Sequence, residues 1–185
     1  MFLVPLVLGF IFNSLSAFTT WLCRRLGERR GRWATFLLRN VLGIPLWSAG
    51  LVLAGRTPSA RIFSPSAASE TAGWLLLAFG CALIVLALAA LRGRAALPST
   101  RDRLIRRGPY ACVRHPIHVG VLFTLAALVL IKPTQTAALA ASLGAAWVVV
   151  QSRLEELDLV QRMPAYRGYM SQVPRFMPRF RRSAP

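Results

Sequence analysis

An all-α, membrane-integral fold is what this chain predicts, and three observations carry that reading. Hydrophobic residues make up 55% of its 185 positions, with a mean hydropathy of +0.51, too apolar for one soluble domain. Most of them fall in five blocks, roughly Phe2–Cys23, Trp33–Ala54, Thr71–Leu91, Ile117–Ile131 and Gln135–Val150. The charge between the blocks alternates. Counting Arg and Lys, the connections after successive blocks hold 5, 2, 7, 1 and 7. That is the positive-inside pattern of a protein with its N-terminus outside and its C-terminus in the cytoplasm. The formal charge of +17 is thereby explained by topology, and no nucleic-acid partner is expected.

The first three blocks each hold about 20 residues, enough to cross a hydrocarbon layer of ~30 Å. The first has its basic flank after the apolar run (Arg24, Arg25, Arg29, Arg30, Arg32), which argues for an anchored span over a cleaved signal peptide. An outer loop follows the second block over Arg56–Ser69, and the largest inner loop follows the third over Arg92–Arg114. The last two blocks are about 15 residues each and read as a tight, tilted or re-entrant hairpin turning at Lys132-Pro133-Thr134. Such a turn is tolerated only where protein packs around it. Pro116 fits the first turn of a helix, where its missing N–H costs nothing, so the first hairpin helix should start there. The second should project beyond the membrane through Glu155 and Leu159 until Pro164 stops it. The tail Ala165–Phe180 reads as a cap against the membrane surface. Five membrane helices result, in one domain over 1–185: three spans in 1–91, then loop, hairpin and cap in 92–185.

Cys23, Cys81 and Cys112 have no paired or metal-type spacing, so free thiols and no metal site are expected. Arginine outnumbers lysine 22 to 1, a composition that hints at a GC-rich bacterial genome and hence an inner (plasma) membrane.

Polar chemistry is concentrated in three short segments. Gly108-Pro109-Tyr110-Ala111-Cys112-Val113-Arg114-His115-Pro116-Ile117-His118-Val119-Gly120 carries both histidines of the chain. Glu155-Glu156 and Asp158 are half of the six acidic residues and stand where topology alone would place cations. Tyr166, Tyr169 and Val173-Pro174-Arg175-Phe176-Met177-Pro178 close the series. Adjacent helical residues diverge by about 100°, so one of the two glutamates is expected to line a site. Arg39-Asn40 lie inside the second span, where a charge is costly, and face either a substrate cavity or, by snorkelling, the inner surface.

The order of these segments resembles the isoprenylcysteine carboxyl methyltransferase and phospholipid methyltransferase family of integral membrane enzymes. That family's pattern is G-P-Y-x-x-x-R-H-P-x-Y-x-G, a hairpin, E-E, then Y-x-x-Y-x-x-x-V-P-R-F, and the likeness covers about residues 97–180. It implies methyl transfer from S-adenosylmethionine to a lipophilic acceptor at the cytoplasmic face: a prenylated cysteine carboxylate, a phospholipid amine or a small thiol. Cofactor contacts would fall to Gly108, Tyr110, Val113, Arg114, His115, Pro116, His118, Gly120, Glu155, Glu156, Tyr166 and Tyr169. Arg114 and His115 beside a helix N-terminus would receive the carboxylate, and the two glycines would let backbone approach closely. His115, Arg153 and Glu156 are the catalytic candidates, and Arg39, Asn40 and Arg175 the substrate contacts. The tail would close over the cofactor.

Each residue also has a plainer reading. Arg114, His115 and Arg153 would serve as interfacial anchors, the glutamates as a solvated patch, and the tail as an amphipathic anchor with an aromatic belt. For the whole chain the alternative is a non-catalytic scaffold or carrier of the same fold. His118 departs from the family's tyrosine. Histidine keeps a flat body and polar tip but titrates near neutrality.

Overall fold

In the computed structural model, which describes residues 1–91 and 104–178, the described residues are mostly helical, and one isolated bridge pairs Arg61 with Thr134. The helices are α1 (Leu3–Ser16), α2 (Thr19–Leu26), α3 (Glu28–Phe36), a π-helical turn (Leu37–Gly43), α4 (Ile44–Arg56), α5 (Ala67–Leu91), α6 (Pro109–Cys112), α7 (Pro116–Ile131), α8 (Gln135–Arg162) and α9 (Tyr166–Gln172). Most of the inner loop expected over Arg92–Arg114, including Arg103, and the end of the tail lie outside the described residues.

Three helices are long and apolar enough to cross a membrane: Glu28–Arg56, Ala67–Leu91 and Gln135–Arg162. Counting α1 and α2 together gives a fourth, and α7 is a shorter apolar helix of 16 residues. The chain is therefore a multi-pass membrane protein by length and composition. The expected block at Phe2–Cys23 is not one straight span. It bends by 67° between α1 and α2. Local polar bonds account for the break: Ser16 Oγ donates to the Asn13 carbonyl and Thr19 Oγ1 to the Ser16 carbonyl, while Ala17 and Phe18 N–H reach back only three residues.

Two spans begin earlier than their apolar blocks. Helix α3 starts at Glu28 after Gly27, whose φ of +81° turns the chain. Helix α5 starts at Ala67 instead of Thr71, because Ser66 and Ser69 exchange bonds as a cap: each hydroxyl accepts from the other's backbone N–H, at 2.9 and 3.1 Å. The π turn fits one extra residue into the second span, with Ile44 N–H bonded to the Arg39 carbonyl. Helix α7 begins at Pro116 and α8 ends at Arg162, as the two prolines predict.

Helix α8 is the centre of the arrangement. Of its apolar window 44% is buried, against 11% for each of the other two long spans. It packs on α7, α4 and α1, while α7 lies along α5 on the far side. That α5–α7 contact is close because Gly80 and Gly120 face each other: a Cβ on Gly120 would come within 2.7 Å of the Gly80 carbonyl. The loop after α4 packs over the hairpin turn. Ile62 N–H donates to the Pro133 carbonyl, Gln135 N–H to the Ala60 carbonyl, and the Thr136 hydroxyl to the Ala54 carbonyl at 3.0 Å. The turn thus has the protein cover that non-helical backbone needs at membrane depth.

Candidate active site

The opposite end of the hairpin gathers the polar segments around one carboxylate. Pro116 starts α7 and fixes Arg114-His115 immediately before it, while α8 carries Glu156 alongside. Glu156 Oε1 accepts from Arg114 Nε (3.0 Å), Arg114 Nη2 (2.9 Å), His115 Nε2 (3.1 Å) and Arg175 Nε (3.0 Å). Its Oε2 accepts from Arg175 Nη2. An ionised carboxylate only accepts, so His115 Nε2 is the donor in this bond, and Nδ1 faces the Glu155 side.

The tail is tied to the same point by backbone. Arg114 N–H donates to the Pro174 carbonyl at 2.8 Å and His115 N–H to that of Arg175 at 3.2 Å. Arg114 Nη1 donates to the carbonyls of Met170 (2.8 Å) and Val173 (2.7 Å). All three nitrogens of its guanidinium are thus committed within the protein. Arg114 thereby staples the tail to α8, where a cofactor carboxylate was the partner expected for it. Arg175, expected to touch substrate, is the second staple, and its bond to Glu156 raises its pKa.

Both glutamates join the cluster, which corrects the expectation of one. Glu155 turns to the other side of His115, with Oε2 3.7 Å from His115 Nδ1 and Oε1 3.9 Å from His118 Nε2. Gln151 Nε2 donates to Glu155 Oε1 at 2.9 Å and shares the Asn13 carbonyl. The two imidazoles stack 5.2 Å apart, and His118 meets Trp147 edge-on. Helix geometry still makes the two carboxylates diverge, but histidines on one strand of chain reach both.

Tyr169 is buried and donates its hydroxyl to the Tyr110 carbonyl at 2.6 Å, and Tyr166 packs edge-on against it. Burial pushes all three phenols up, Tyr169 to about 12, so they are neutral at ordinary pH. Val113 and Pro116 are buried beneath them. Gly108 has a φ of +57° and turns the chain into α6, a conformation that favours glycine. Gly120, expected beside a cofactor, is instead occupied by the α5 contact. Arg153 lies exposed on α8. Asn40 donates to the Phe36 carbonyl of its own helix, whereas the charge of Arg39 is felt at both His118 and Glu155.

Sequence reasoning passed over Gln151 and Asn13. Asn13 is a polar residue inside the first apolar block, the signal that singled out Arg39, Gln151 directly follows the last block, and both are buried here. Four buried polar atoms near the cluster have no bond within the described residues: His118 Nδ1, Gln151 Oε1, Asn13 Oδ1 and the Tyr166 hydroxyl. Buried groups of this kind ordinarily have partners, so they mark capacity for a polar ligand. An amino acid moiety fits it, with Gln151 and Glu155 as acceptors for an amine and the Tyr166 hydroxyl as a donor to a carboxylate.

Residues 74–161 match the model of the isoprenylcysteine carboxyl methyltransferase (ICMT) family, in agreement with the motif resemblance. The match takes in α5, the Gly108–Gly120 segment, the hairpin and the glutamate pair. No curated protein and no solved structure matches the chain.

Proposed function

Taking the chain as a member of the isoprenylcysteine carboxyl methyltransferase family on that match, we propose that it transfers a methyl group from S-adenosylmethionine to a lipophilic acceptor at the cytoplasmic membrane face. The observation that carries the reading is Glu156, held by Arg114, His115 and Arg175 at the mouth of the matched hairpin. Bound there, the cofactor supplies an electrophilic methyl carbon beside a good leaving group. The chain's own part is positional. Glu155, Gln151 and Tyr166 hold the amino acid end, and the stapled tail excludes the water that would stabilise a sulfonium charge. Arg39, whose charge reaches Glu155 from the second span, is the contact offered to an acceptor entering from the bilayer.

None of the catalytic candidates has the features of a strong base. Glu156 already accepts from two guanidinium groups, Arg153 faces outward, and His115 Nε2 is engaged. A carboxylate acceptor fits this best, because it needs no proton removed before attack.

The test is binding, then turnover. Detergent-purified protein should be stabilised by S-adenosylhomocysteine, as any ligand of the native state must do. Labelled S-adenosylmethionine with membrane lipid extract should then yield an extractable labelled lipid. Lack of saturable binding at millimolar ligand, in folded protein, would leave a scaffold or carrier of the same fold as the better reading.

A further inference from the structure

The segment between Trp21 and Trp33 sets its arginine pairs and its tryptophans symmetrically about Gly27. Arg25 and Arg29 stand two residues from that glycine, Arg24 and Arg30 three, Trp21 and Trp33 six. Methyl transfer does not call for that order. The positive-inside pattern accounts for the number of arginines without fixing their places around tryptophan. We propose that α3 seats an anionic phospholipid at this corner, its phosphate on Arg29 and Arg30 and an acyl chain along Trp33, Ala34 and Leu37.

Local geometry makes the seat. Gly27, with its φ of +81°, turns α2 into α3. Gly31 lets the two helices pack, since a Cβ there would come within 2.5 Å of Cys23 Cα. Leu22 and Cys23 are buried on one side of α2, which leaves Trp21, Arg24 and Arg25 exposed on the other. On α3, Gly31 and Thr35 take the buried side. Arg29 and Arg30 precede Trp33 by one turn, so the three share the exposed face. They border an open groove of about 460 Å³ that Ala34 and Leu37 continue along the span. Trp33 and Leu37 are 51% and 48% exposed, so this face is open to lipid.

Depth and charge agree. Helix α3 opens the 29-residue span Glu28–Arg56, which puts its arginines at the membrane surface and Leu37 in the apolar layer. Thr20 N–H donates to Asp158 Oδ1 at 2.7 Å, tying the corner to the end of α8 that carries Glu156. A lipid phosphate there meets two guanidinium forks, and an indole N–H suits the headgroup level. A zwitterionic headgroup brings its own cation against the same arginines, so the seat discriminates by charge. Glu28 is the one acidic residue of α2 and α3, and it borders a different groove, with Thr20, Cys23 and Arg162.

The inference is independent of the proposed reaction, because it is read with lipid alone. Delipidated protein in neutral detergent is titrated with dioleoyl phosphatidylglycerol or dioleoyl phosphatidylcholine, and native mass spectrometry measures the binding. The two probes share acyl chains and phosphate and differ in net charge. The expected result is saturable phosphatidylglycerol binding, preferred over phosphatidylcholine by roughly tenfold or more, as charge-assisted bonds allow. Arg29→Gln combined with Arg30→Gln should remove most of that preference. Arg56→Gln combined with Arg61→Gln, an equal loss of charge toward the far side of the membrane, should keep it. Melting curves without lipid check the folding of each variant. Equal binding of the two lipids overturns the proposal. So does an unchanged preference in the folded Arg29/Arg30 variant, or an equal fall in the Arg56/Arg61 control. Displacement of the lipid by glycerol 3-phosphate at matching concentration also overturns it, because the site would then take a free phosphate.

Discussion

The two ends of the α7–α8 hairpin are closed by different physics. At the turn, neutral backbone groups and small hydroxyls bond the loop after α4 to Pro133–Thr136. At the open end, two arginines, two histidines and two glutamates converge under the tail. Hydrogen bonds of the first kind are each worth about 1 kcal/mol net and survive the loss of a neighbour. A buried ionic cluster behaves otherwise: complete it is close to neutral in energy, and incomplete it strands charges. The turn end therefore builds the fold, and the charged end is where a single change has a large consequence.

The most damaging way to break that contrast is Glu156→Gln. Both guanidinium groups and His115 lose their shared negative charge, and one acceptor oxygen becomes a donor, with an expected cost of about 3–5 kcal/mol and loss of most cofactor affinity. A melting curve with and without S-adenosylhomocysteine reads both. Stability and affinity equal to wild type would mean that the cluster is mere surface ornament. Arg175→Ala should do less, because Arg114 and the backbone bonds still hold the tail. About 1 kcal/mol is expected after solvent screening of a side chain 26% exposed. Faster limited proteolysis near Met170–Phe176, slowed again by S-adenosylhomocysteine, is the readout.

Changes at the turn end sharpen the comparison from the other side. Thr136→Val removes the hydroxyl bonds to Ser59 and Ala54 and should cost about 0.5–1.5 kcal/mol of stability while leaving cofactor affinity unchanged. A tenfold fall in affinity would show that the two ends are coupled through the hairpin. Smallest of all is Arg56→Ala at the end of α4, an exposed cation whose loss should shift stability by less than about 0.5 kcal/mol.

Much of this contrast was legible in the sequence. Pro116, Pro133 and Pro164 marked the hairpin's boundaries because proline's missing donor acts locally, whatever the rest of the chain does. The charge-bearing residues were legible for a similar reason: in an apolar chain each one needs a purpose. Their partners were not. That Arg114 would face Glu156 and the tail carbonyls depends on where residue 173 returns in space, and no spacing rule reports that. The bend at Ala17–Phe18 was missed because hydropathy averages over Ser16 and Thr19, whose hydroxyls compete with the helix ladder. Asn13 was hidden by the same averaging, inside a block read as uniformly apolar, and Gln151 by its place directly after another.

The staple between Arg175 and Glu156 also makes the cluster depend on the tail. A chain truncated before Met170 would keep its whole hairpin, but Glu156 would lose Arg175 and Arg114 would lose the carbonyls of Met170 and Val173, leaving buried charges only partly matched. Loss of that short segment would then be felt on α8, the most buried of the long helices.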